Sequence, residues 1–173
     1  YYNYEWAGAV KEYKQAIQLS PNYATAHHWY ALLLSQRELH DEALVEIKRA
    51  LELDPLSLII NTNMAWTYHF AREYDRAIEQ FKKTLEMDTN YAVAHQRLGQ
   101  TYLQKKLYEE GILELQKAVN LSSESTEIMA ALGHAYAVSG QEGEAKKIIE
   151  KLKEISKKGT YVSECDIAIV YLG

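Results

Sequence analysis

YALLLSQRELHDEALVEIKRALELDPL, residues 30–56, holds two apolar runs with three- and four-residue spacing, parted by a polar stretch and closed by Asp54-Pro55. That spacing is the period of an amphipathic helix, and strand-like alternation is absent. The pattern then returns. From Ala31 the chain reaches Ala65, Gly99 and Gly133 in steps of 34 residues. The position before it reads Tyr30, Met64, Leu98, Leu132, and the position three after it reads Leu34, Tyr68, Tyr102, Tyr136. A second set keeps the same frame: Ala9, Ala43, Ala77, Gly111, Ala145; Tyr13, Ile47, Phe81, Leu115, Ile149; and Ala16, Ala50, Thr84, Ala118, Leu152. A fixed period of this size is the mark of a helical repeat array.

Breaks fall between the runs at Ser20-Pro21-Asn22 and Asp54-Pro55, with Asp88-Thr89-Asn90 and Ser122-Ser123 in the matching places. The spacing predicts ten helices, over 5–19, 24–37, 40–53, 58–71, 74–87, 92–105, 108–121, 126–139, 142–157 and 161–172. The small residues in two columns let the paired helices approach closely while large neighbours fill the space around them. One pair cannot cover its own apolar faces, so neighbours must stack. The expected fold is all-α: an α-solenoid of antiparallel helix pairs in a right-handed superhelix, its groove lined by the first helix of each pair.

The pattern of small, aromatic and proline positions in residues 30–56 resembles the tetratricopeptide repeat family, and the resemblance extends over essentially the whole chain. It implies a single domain over 1–173 of about five repeats: the second half of a repeat at 1–23, full repeats at 24–57, 58–91, 92–125 and 126–160, and a further first helix at 161–173. Tyr1 then falls near the end of an absent first helix. Departures are local. His27, Asn61, His95 and Met129 stand where the family favours a large apolar side chain, Thr89 and Ser123 replace proline, and each is expected to weaken its repeat without shifting the phase. Residues 5–34 also look like the carboxy-terminal arrays of bacterial multidomain regulators, which would make the chain a sensory or partner-binding module. Half-repeats with apolar faces are expected to meet a neighbour, either more chain or a second copy.

Composition excludes several functions. With 47% apolar and 25% charged residues the chain reads as an ordinary globular protein, and its net charge of −5 does not suit a phosphate-neutralising nucleic-acid surface. No apolar run is long enough to span a membrane, and no signal segment opens the chain, so cytoplasmic placement is expected. Cys165 alone supports neither a disulfide framework nor a four-cysteine zinc site. The histidines are His27, His28, His40, His69, His95 and His134, and no two are three or four apart on one helical face. Adjacent His27 and His28 diverge by about 100° around a helix. Carboxylates such as Asp41-Glu42 and Glu109-Glu110 open second helices, where they complement the helix dipole. No catalytic, metal or cofactor site is expected.

The groove is the remaining candidate. Its expected lining is His28, Trp29 and Leu32 on one first helix, Asn63, Trp66, His69 and Phe70 on the next, Arg97, Gln100 and Gln104 on the third, and His134 on the fourth. Aromatics beside amides and an arginine suit a peptide, with an apolar side chain anchored and the backbone held. Packing between repeats would use the same aromatics. The family's carboxylate clamp for acidic chaperone tails has His28, Leu32, Asn63, Val93 and Arg97 at its five columns here, and only Asn63 and Arg97 match. An asparagine ladder like that of the O-linked N-acetylglucosamine transferase would need asparagine at Trp29, Asn63, Arg97 and Ala131. The reading is a noncatalytic scaffold for a protein or peptide partner. Alternatives are a self-associating spacer, or an appendage of an enzyme or a winged-helix regulator.

Overall fold

The computed structural model describes residues 2–122 and 125–172, with side chains from Trp6 onward. Tyr1, Ser123 in the proline column and Gly173 at the end of the last expected repeat lie outside the described residues. The described residues form ten helices and no strand: α1 Tyr2–Leu19, α2 Ala24–Gln36, α3 His40–Leu53, α4 Leu58–Phe70, α5 Tyr74–Met87, α6 Ala92–Gln104, α7 Tyr108–Leu121, α8 Thr126–Val138, α9 Glu142–Lys157 and α10 Glu164–Tyr171. They fall into two compact units, Tyr1–Met87 and Asp88–Gly173. In the first unit α2 pairs with α3 and α4 with α5, α1 packs on α2, and α4 lies against both α2 and α3. In the second, α6 pairs with α7 and α8 with α9, α8 also meets α6 and α7, and α10 packs on α8 and α9. This is the helix-pair stacking of an α-solenoid.

The small-residue columns sit at the helix crossings. Ala31, Ala43, Ala65 and Ala77 have no exposed surface. At the α6–α7 crossing even a methyl group is too large: a Cβ on Gly99 would lie 2.7 Å from Leu115 Cγ and 2.8 Å from the Gly111 carbonyl oxygen. Around the crossings the core is built from the large columns. Tyr30, Leu33 and Leu34 pack with Tyr13 and Trp6 in the first unit, and Met129, Ile149, Leu152 and Val170 pack together in the second.

Each full first helix stops one residue before its expected end, for a backbone reason. Glu38, Arg72 and Lys106 have φ near 60°, and Gly140, in the same column, has φ 80°. Each left-handed residue turns the chain so that its own N–H and the next bond back onto the helix, as in Arg72 N to His69 O (3.0 Å) and Glu73 N to Tyr68 O (2.9 Å). This is a Schellman stop. The last helix differs more, starting at Glu164 instead of 161, because Ser163 caps it by accepting from the Cys165 N–H at 3.2 Å.

The column of family departures has a different role from the weakening expected of it. His27 Nε2 lies 3.0 Å from the Pro21 carbonyl oxygen, and its Nδ1 lies 2.6 Å from Glu46 Oε2. One repeat on, Asn61 donates to the carbonyls of Pro55 (2.9 Å) and Ser57 (3.0 Å) and accepts from Gln80 Nε2 (2.9 Å). One further, His95 Nε2 lies 3.0 Å from the Thr89 carbonyl, and Nδ1 2.5 Å from Glu114 Oε2. Each of these buried side chains staples the entering loop to both helices of its repeat. Met129 makes the matching contact by apolar packing, with Ile148 against its cluster. The departures therefore exchange an apolar plug for a satisfied polar one, and a buried polar group with partners need not destabilise.

Two sets of substitutions test this backbone account. Arg72→Gly and Lys106→Gly should each raise the unfolding free energy by about 0.5–1 kcal/mol, since glycine removes the left-handed penalty at the cost of unfolded-state entropy. Gly99→Ala should lower it by about 1–3 kcal/mol through overpacking, whereas Gly8→Ala, where a Cβ meets nothing within 4 Å, should raise it. Urea denaturation of the four variants reads both signs.

Candidate functional site

The first helices supply the face expected to bind a partner. On α4, Ile59, Asn63, Trp66 and Phe70 follow three- and four-residue steps and form one stripe. Ile59 is 47% exposed and Phe70 41%, and on α2 Trp29 is 47% exposed. Trp66 is half-buried: its ring stacks on His69 with centroids 4.2 Å apart, meets Phe70 edge-on at 5.1 Å, and reaches the buried Phe81 at 6.5 Å. His69, half-buried, also meets Tyr74 edge-on at 5.5 Å. Trp66 thus has one side toward the core, while Phe70 stands out beside it. Leu32 is half-buried on α2.

Two of the expected lining residues are committed to the wall. His28 and Asn63 are 3% and 6% exposed, and Asn63 Nδ2 donates to His28 Nε2 at 2.6 Å, joining α2 to α4. An amide nitrogen can only donate, so Nε2 must be unprotonated and His28 neutral. Burial pushes the His28 pKa below its ordinary value in the same direction. They are the support beneath the exposed aromatics rather than an exposed part of the face.

The second unit has a more polar face. Gln96 is buried and donates to Glu127 Oε1 at 3.1 Å, joining α6 to α8 as His28 and Asn63 join α2 to α4. Arg97 is half-buried, and burial lowers its pKa against the opposing pull of Glu127 and Tyr91. Gln100 is half-buried and Gln104 exposed on the same helix. His134 Nδ1 lies 3.1 Å from the Ile169 carbonyl oxygen, which ties α8 to α10. Sequence reasoning missed the partners Glu46, Gln80 and Glu114, although they share the 34-residue frame with His27, Asn61 and His95. That shared step was the available signal. Among the described residues no group of three His, Cys, Asp or Glu side chains could hold a metal ion, and no helix is long and apolar enough to cross a membrane.

Stacked helix pairs whose first helices are laced to one another within each unit, with a partly exposed aromatic stripe, define a protein-interaction scaffold. Family models agree. The TPR repeat matches residues 4–37, and the tetratricopeptide repeat matches residues 62–126 and 126–158. The chain belongs to the tetratricopeptide repeat family. Comparison with curated proteins gives no match. Among solved structures, the chain is similar to TTC0263, a thermophilic TPR protein in Thermus thermophilus, with TM-score 0.81 and 21% identity over 96% of this chain and 89% of that one. It is similar to MamA, with TM-score 0.71 and 22% identity over 92% and 94% of the two chains. It is also similar to YrrB, described as a TPR protein with an unusual peptide-binding site, with TM-score 0.60 and 25% identity over 80% and 71%. The likeness to TTC0263 and MamA shows the fold.

The His28–Asn63 bond has a pH signature. A buried histidine with a lowered pKa binds fewer protons folded than unfolded, so its contribution is complete above about pH 6.5 and is lost as pH falls below that toward the folded value. His28→Gln should remove this acid-side loss. Urea midpoints of wild type and variant between pH 7 and pH 5 should diverge, the wild type falling further. Parallel curves would contradict the assignment.

Proposed function

We propose that the 1–173 array is a noncatalytic tetratricopeptide domain that binds a peptide or protein segment on its first-helix faces, and that the α2–α4 stripe supplies the apolar anchor. The observation that carries the reading is the exposure of Trp29, Ile59 and Phe70, the last edge-on to a half-buried Trp66. Large aromatics at the surface of a scaffold are the residues from which binding energy most often comes. His69 holds the Trp66 ring in place by stacking, and the buried His28–Asn63 bond fixes the spacing of the two helices beneath it. On the second unit, taken by itself, Arg97, Gln100, Gln104 and His134 would be the polar residues that meet a partner's backbone or carboxylates. The family consists in general of noncatalytic scaffolds, and YrrB is one whose site takes a peptide.

A second reading, self-association, is favoured by one observation: Ile169, Tyr171 and Leu172 are exposed at the end of α10 and just after it. The two readings separate by experiment. Peptides selected by display against the chain should carry a large apolar residue, and Trp29→Ala with Phe70→Ala should weaken their binding about tenfold or more while leaving the melting temperature nearly unchanged. Undiminished binding by the double variant would remove the α2–α4 stripe from the site. A sedimentation profile that shifts with concentration and is reset by Ile169→Glu would support self-association instead.

A further inference from the structure

The staple at His95 contains a proton that its counterpart at Asn61 does not need. The Thr89 carbonyl oxygen can only accept, so His95 Nε2, 3.0 Å away, carries hydrogen. Nδ1 is then left to bond Glu114 Oε2, and a ring nitrogen and a carboxylate oxygen can share a hydrogen bond only with a proton between them. The other carboxylate oxygen of Glu114 accepts from Lys117 Nζ at 2.7 Å, which favours the ionised carboxylate and an imidazolium facing it. Glu114 and Lys117 are the charged groups that face His95 from α7. The entering loop brings Asp88, which accepts from the Asn90 N–H, and α8 brings Glu127, which holds the Gln96 amide.

We propose that His95 is a proton-operated staple: the α6–α7 hairpin is locked to its entering loop while the His95–Glu114 contact holds its proton, and is loosened as the solution turns alkaline. The Glu114 hydrogen bond holds the imidazole above its ordinary value against the pull of burial, with the Thr89 carbonyl adding to it. Burial pushes the Glu114 carboxyl up, but hydrogen bonds from His95 and Lys117 outweigh it and leave it below the usual range. A histidine with a raised folded pKa contributes fully below its unfolded value of about 6.5 and loses that contribution as pH rises through the folded one. A carboxylate with a lowered pKa contributes above its unfolded value of about 4.3 and loses that contribution as pH falls through the folded one. The lock is therefore fully set in mildly acidic solution. His28 acts with the opposite sign, so a global melting curve would mix its contribution with that of His95. Asn61 and Gln80 hold the same positions on α4 and α5 with no titratable group, so that hairpin is an internal control once the His28–Asn63 contact is removed by His28→Gln.

Amide hydrogen exchange of the full chain carrying His28→Gln, at pH 6 and pH 8 and expressed as protection factors, reads the two hairpins in one sample. Protection across α6–α7 should fall about threefold or more relative to α4–α5 on going to pH 8. In His95→Asn with Glu114→Gln, which copies the Asn61–Gln80 pair, the relative loss should vanish. If that double variant fails to fold, Glu114→Gln alone supplies the readout, and the His95 imidazole followed by NMR should titrate at lower pH than in the wild type. Equal changes in the two hairpins, a wild-type His95 midpoint at or below that of free histidine, or a midpoint indifferent to Glu114→Gln would each overturn the proposal.

Discussion

The structure depends on how closely two helix backbones can approach within each repeat. Where the crossing holds alanine the side chains are fully buried, and where it holds Gly99 and Gly111 the carbonyl of one helix lies 2.8 Å and 3.1 Å from where the other's Cβ would stand. That approach sets how much room remains for Leu34, Phe81 and Leu115, all buried to within about one percent of their surface. It also makes one hairpin too thin to cover its own apolar residues, so a second must stack on it. Repetition every 34 residues is thus a packing requirement expressed in sequence.

Stacking alone leaves a register to be chosen, and polar contacts choose it at two levels. Within a repeat, the staples at His27, Asn61 and His95 fix the entering loop against both helices. Between repeats, His28–Asn63 and Gln96–Glu127 fix one first helix against the next. Buried polar pairs gain little when made but cost more when mispaired, which gives them value as specifiers of alignment. Trp29 and Phe70 remain 47% and 41% exposed, and in the proposed function those are the side chains that meet a partner.

The helices, their pairing and the small-residue crossings were legible because apolar period and residue size are local properties of the chain. The turns were less so: of the five left-handed positions among the described residues, Glu38, Arg72 and Lys106 give no sign of it, and Gly140 and Gly159 alone show the demand in their residue type. The staples were misjudged for a different reason. Their partners lie 19 residues apart, and the pair changes from His–Glu to Asn–Gln to Met129 in an apolar cluster that Ile148 packs against, so the position persists while the chemistry does not. For the candidate face, spacing placed the stripe on α4, but it did not reveal that His28 and Asn63, 35 residues apart, turn inward to each other and leave Trp29 outside.

The central claim is that a partner meets the chain on the outward aromatic stripe of the first helices. The three tryptophans report on it directly, because Trp29 and Trp66 lie on α2 and α4 while Trp6 lies on α1, packed in the core against α2. Titration of a display-selected peptide, followed through the three indole N–H resonances, should shift Trp29 and Trp66 and leave Trp6 in place. A shift confined to Trp6, or saturation of binding with all three indoles unmoved, would contradict the account.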